Sequence, residues 1–229
     1  MKPKFEKKTP ANWAKIGVVL LCVLFAVAMV ISYFSPAISA LTTSVTPGQY
    51  VTFDFTVRDA LGRPVLTSNQ QVFKDAIQNN QAIYYANRLE VVANSTSKEQ
   101  VVNVPVYVPG YGWTGQFALF SPEYDSIAAA LVGMKTGGTK TINLPKIPGL
   151  VQSAPAARFA QMNVSLSSLK VNQQLQMGVA SIPESANATL PNETSFRIAR
   201  ITQIGNDSVI MDSGYPTIEV TVVSVSRTA

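Results

Sequence analysis

The chain of 229 residues has no histidine and one cysteine. Without histidine there is no Ser-His-Asp or Cys-His nucleophile system and no histidine-based zinc site, which excludes much of hydrolase and metalloenzyme chemistry. A single thiol, Cys22, allows no intramolecular disulfide, so pairing says nothing about redox compartment. Charge is scarce as well, at 14% of residues, and the net +5 is unevenly placed. Lys2, Lys4, Lys7, Lys8 and Lys15 against Glu6 put +4 of it in the first fifteen residues. The pI of 9.3 is therefore a property of the tail and gives no support to a nucleic-acid-binding surface. No metal or other cofactor is expected.

Residues 16–34 form a run of 19 without a charge. At about 1.5 Å per residue such a run is long enough for about 30 Å of hydrocarbon. Trp13 and Tyr33 fall where interfacial aromatics sit, and the lysines before the run place the N-terminus inside and the remainder outside. The expectation is a single-pass anchor in the cell membrane: a basic cytoplasmic tail at 1–15, a transmembrane helix at 16–34 in contact with lipid, and a linker at 35–48. The rival is a cleaved signal peptide, for which Ala37-Ile38-Ser39-Ala40 offers small residues; its apolar core would usually be shorter, about 7–15 residues.

Five N-x-S/T sequons follow the apolar run, at Asn94, Asn163, Asn187, Asn192 and Asn206. Their placement suits an external glycoprotein.

The centre of the remaining chain is IAAALVGMKTGGTKTINLP, residues 127–145. Ile127, Leu131 and Met134 recur at helical spacing, with Ser121-Pro122 or Asp125 to start a helix and Gly137-Gly138 to stop it. Ile142 and Leu144 then alternate with Thr141 and Asn143, the period of a half-buried strand. Phe53, Phe55 and Val57 alternate likewise before a turn at Leu61-Gly62-Arg63-Pro64, and Ile218, Val220 and Val222 do so near the C-terminus. Residues 101–108 contain Pro105 and read as an edge strand. Residues 107–124 combine Tyr111, Trp113, Phe117 and Phe120 with three glycines, which predicts a loop. Its rings either pin it to the core or wall a peptide groove. Gly205-Asn206-Asp207-Ser208 predicts a hairpin between flanking strands.

The segment ALVGMKTGGTKTINLP resembles the AL-x-GM-x-x-G segment of FKBP-type peptidyl-prolyl isomerases. VTFDFTVRDALGRPVLTS resembles that family's opening strand pair, and TIEVTVVSVSR its closing strand. FAQMNVSLSSLKVNQQLQMGV and FRIARITQIGNDSVIMDSG resemble the insert-in-flap domain of the long, SlyD-like branch. The resemblance covers about two thirds of the chain. It implies an α+β fold in which an antiparallel half-barrel sheet wraps one short helix. The FKBP-like domain would occupy 49–150 and 213–229, with an unplaced insertion at 69–120, and a small mostly-β insert domain would occupy 151–212.

The resemblance also implies a chemistry. The barrier to X-Pro rotation, about 18–20 kcal/mol, comes from amide resonance. A dry aromatic-lined cavity lowers it by binding the twisted amide better than either planar isomer, with no covalent step. Carried over by position, Phe55 stands at a first-strand tyrosine, Val65 just before the pocket aspartate, Ile127 at the pocket floor and Ile218 at a closing-strand phenylalanine. Trp113, Phe117 and Tyr124 complete the substrate-binding candidates. Several positions depart from the family: the aspartate is Leu66, the tyrosine after the strand is Pro148, a Val-Ile pair is Glu123-Tyr124, and a glycine is Ser126. The resulting expectation is an extracytoplasmic folding factor, a peptidyl-prolyl cis-trans isomerase or a chaperone, acting on unfolded or proline-containing polypeptides. Its alternative is an inactive FKBP-like binding or structural subunit. Met162, Leu166, Leu169, Met177 and Met211 either fill the insert's own core or present a client-holding surface.

Overall fold

Strand β1 (Tyr50–Arg58) sets the frame, because Val51, Phe53, Phe55 and Val57 alternate along it and are all buried. The structure is a computed structural model, describing residues 17–30, 44–108, 111–179 and 195–226. After β1 the chain turns at Asp59, whose carboxylate accepts from the Leu61 and Arg63 amides at 2.9 and 3.0 Å and pairs with the Arg63 guanidinium at 2.7 Å. The return strand β2 (Pro64–Thr67) follows.

The remaining strands are β3 (Tyr84–Ala86), β4 (Leu89–Val92), β5 (Val101–Val108), β6 (Gly112–Phe120), β7 (Thr139–Asn143), β8 (Val151–Pro155), β9 (Gln174–Val179), β10 (Ser195–Ile204), β11 (Ser208–Asp212) and β12 (Thr217–Ser226). Among the described residues helices are few: α1 at residues 17–30, α2 (Gln70–Gln78), α3 (Ser121–Leu131), α4 (Ala156–Gln161) and one 3₁₀ turn.

Among the described residues twelve strands join one curled sheet in the order β7-β12-β1-β2-β3-β5-β6-β10-β11-β8, with β4 on β1 and β9 on β10. The class is α+β, a half-barrel sheet with few helices. It is mixed rather than antiparallel, since β2–β3 and β6–β10 run parallel. Ser44–Ala229 is one compact unit, but its apolar residues form two clusters. The larger takes in β1, β12 and α3; the smaller consists of Ala154, Phe159, Leu169, Ala199, Ile201, Val209 and Met211. Strand β10 serves both, with Phe196 and Ile198 in the first and Ala199 and Ile201 in the second.

Two local readings change. Gly112–Phe120 is a strand rather than a loop, because its glycine at 115 provides close approach instead of a turn. A Cβ there would meet Val106 Cγ2 at 2.8 Å, Val108 Cγ2 at 2.9 Å and Phe196 Cε1 at 3.0 Å. Val101–Val108 is interior in the sheet order rather than an edge. Its proline is tolerated because β3 stops at Ala86, opposite Val106, and never reaches Pro105.

Helix α3 starts at Ser121, where the Glu123 carboxylate accepts from the Phe120 amide at 2.9 Å, and stops before Gly133 at φ 81° rather than at Gly137-Gly138. The hairpin from β10 to β11 turns through residues 205–207, as its turn sequence predicts.

Among the described residues no helix is long and apolar enough to cross a membrane. The described part of the apolar run, residues 17–30, is helical and exposed, and reaches only about 21 Å at 1.5 Å per residue. Residues 16 and 31–34 of the expected span, and the linker up to residue 43, lie outside the described residues.

Candidate functional site

Phe55, Val65, Phe117, Ile127 and Ile218 come together in the larger apolar cluster, with Tyr124 packed on its margin. They do not leave a hollow. Each of the five is at most 3% exposed, so these side chains are core, and an incoming proline ring would have to displace them. Trp113 is elsewhere, half exposed beside Tyr85 and Tyr107.

Beside Ile127 the protein has built a polar plug. Arg197 reaches from β10 to α3 and makes a two-pronged pair with Glu123, Nη1 to Oε2 and Nη2 to Oε1, both at 2.8 Å. Its Nη1 also donates to the Ala118 carbonyl at 2.8 Å, while Nε and Nη2 donate to the Ser213 carbonyl at 3.0 and 2.9 Å. All five guanidinium N–H groups are thereby used. The cation lies 4.2 Å from the Tyr215 ring centroid and 4.8 Å from that of Phe120. Tyr215 is itself fixed, donating to the Ile198 carbonyl at 2.9 Å and accepting from its amide at 3.0 Å.

Both ion-pair side chains are fully buried. Burial opposes the charge on Arg197, but Tyr215 and Glu123 outweigh it and its pKa is raised. Burial likewise pushes the Tyr215 phenol well above its ordinary range, against the pull of Arg197. Arg197 therefore keeps its positive charge and Tyr215 its phenolic proton across physiological pH. Sequence reasoning reached Glu123 as a departure but missed Arg197. The available signal was an arginine inside the apolar strand FRIARI.

Accessible apolar surface lies in a cleft of about 550 Å³ at the two ends of the sheet order. Asn143 ends β7 and Val151 begins β8, and both line it. Leu144, Pro145, Ile147, Leu150 and Pro216 contribute to its apolar wall. Val151 is 61% exposed, and Asp212 and Lys146 supply charge at the margin. None of the seven sequence-predicted substrate residues lines this cleft. It offers apolar area and two strand ends.

In residues 151–212, where an insert was expected, Leu169 and Met211 are buried in the smaller cluster, Leu166 and Met177 pack against it, and Met162 is 57% exposed. Of the sequons, Asn94, Asn163 and Asn206 are exposed, the first two at φ 62° and 58°. Asn187 and Asn192 lie outside the described residues.

No family model matches the chain, and no curated protein matches it.

Proposed function

We propose that this chain is an FKBP-like folding factor of the SlyD-like branch that holds unfolded polypeptide and does not efficiently isomerise X-Pro bonds. The order of β1, β2, α3, β7 and β12 along the chain, with β12 between β7 and β1, supports the FKBP-like reading. The observation that carries holding over isomerisation is the closure of the carried-over pocket: Ile127 is 1% exposed, Val65 and Ile218 are 0%, and Arg197 and Glu123 fill the neighbouring space. A rotating prolyl bond needs a cavity and carbonyl-orienting groups. Here Leu66 and Pro148 replace both of the family's polar groups.

Client segments bind in the cleft at residues 143–151 and 212–216, where apolar area is accessible. The uncharged run at residues 16–34 tethers the protein to the membrane with the domain from Ser44 outside, where the exposed sequons are candidates for glycan addition.

The test is light scattering of a reduced, aggregating client with the full chain added. The wild type suppresses aggregation, and Val151→Asp, a change at a solvent-exposed position of the cleft, removes most of the suppression with the fold intact. Equal suppression by both proteins would overturn the assignment of the cleft.

A further inference from the structure

The insertion at residues 69–120 builds a surface that the folding-factor reading does not use. On β5, Val104 and Val106 point into the core, and Tyr107 takes the opposite face. A register slip between Val106 and Val108 sets Trp113 and Thr114 of β6 against Tyr107. This bulge carries Trp113 to the Tyr107 side, with ring centroids 5.8 Å apart. Tyr85 of β3, paired with Tyr107 across the strands, lies 6.1 Å from Trp113, and Phe73 of α2 lies 5.5 Å from Tyr85. Trp113 and Tyr107 remain 47% and 37% exposed.

The row ends in a polar cleft. Tyr85, Asp54, Ser68, Asn87 and Arg88 line a space of about 370 Å³, within the range of small-molecule sites, about 300–1,000 Å³. Arg88 Nε donates to Asp54 Oδ1 at 3.0 Å, and Ser68 Oγ donates to the same oxygen at 3.0 Å. Among the described residues no hydrogen-bond partner occupies Asp54 Oδ2, the Asn87 amide or the Arg88 Nη groups. The cleft thus offers a carboxylate oxygen, an amide and a guanidinium edge within one small space, while the Asp54–Arg88 pair leaves it without net charge.

We propose that Trp113, Tyr107, Tyr85 and the Asp54–Asn87–Arg88 cleft form a binding site for a neutral oligosaccharide. Pyranose rings combine an apolar C–H face, which stacks on exposed aromatic rings, with adjacent hydroxyls that both donate and accept; the two halves of this surface match those two properties. A proline-rich peptide fits less well. It needs near-parallel rings with a slot between them, and the angles here are 50° for Tyr85–Trp113 and 69° for Tyr107–Trp113. Such a peptide also presents isolated carbonyls, which make no use of Asp54.

The site is tested on the full chain by tryptophan fluorescence during titration with cellotetraose, mannotetraose and chitotetraose, with deca-proline as the competing ligand. The expected result is a saturable change with at least one sugar and none with deca-proline. Arg88→Ala and Tyr107→Ala each weaken binding at least about tenfold, read as apparent Kd, and Trp113→Ala, which removes the reporter, loses binding when titrated by calorimetry. Urea midpoints identify any variant that fails through unfolding; Arg88→Ala then carries the test, because its exposed side chain is not part of the core. No saturable change with any sugar, or the same Trp113-dependent change with deca-proline alone, would overturn the proposal. Client holding lost through Val151→Asp, with sugar binding retained, separates this site from the proposed folding function.

Discussion

The region around Ile127 and the cleft at residues 143–151 both collect apolar side chains from distant parts of the chain, yet only the second is accessible. The difference lies in what crosses each space. At Ile127, β10 delivers Arg197 across to Glu123, and the aromatic rings of Phe120 and Tyr215 close around the guanidinium. At the cleft, β7 and β8 end the sheet order on either side, and the chain between them lines the space without filling it. Apolar convergence alone therefore does not make a binding pocket. A strand must also stop short of occupying it.

The largest effect is expected at the ion pair. Arg197→Met leaves Glu123 buried without its partner and should cost about 3–5 kcal/mol in urea denaturation. The double change Arg197→Met with Glu123→Leu should recover most of that loss, because apolar replacements remove the uncompensated charge. A double variant no more stable than the single would show that the pair does not act as a unit.

In the smaller apolar cluster, Met211→Ala should cost about 2–5 kcal/mol from cavity formation, whereas Met162→Ala, at an exposed position, should stay within about 0.5 kcal/mol. Gly115→Ala tests the β5–β6 approach. Overpacking against Val106, Val108 and Phe196 should cost about 1–3 kcal/mol, measured by thermal unfolding. Val151→Asp should lie at the small end for stability, within about 0.5 kcal/mol, while the proposed client holding should fall sharply.

Much of the frame was legible in the sequence. Strict alternation at Phe53, Phe55 and Val57 and at Ile218, Val220 and Val222 located β1 and β12, since a period of two with one apolar face admits little else. Ile127 and Leu131 located α3 by the same logic at helical spacing. The sequence did not disclose that β6 is a strand. Gly115 reads locally as a turn residue, and the contact that requires it is made by Val106, Val108 and Phe196.

The plug was hidden for a similar reason. Glu123 and Arg197 are 74 residues apart, and a charged residue in a strand ordinarily reads as a solvent-facing position. Periodicity marked Phe55, Ile127 and Ile218 as buried, and the family resemblance grouped them with Val65, but apolar positions of this kind serve a packed core and an open cavity equally.

Proline-limited refolding of a client, followed with micromolar full-length protein present, tests the central claim. With the Ile127 region closed by its own side chains, the slow phase keeps its uncatalysed rate while aggregation of the same client falls. A slow phase accelerated in proportion to added protein would mean that the closed region opens to substrate, and would contradict the account.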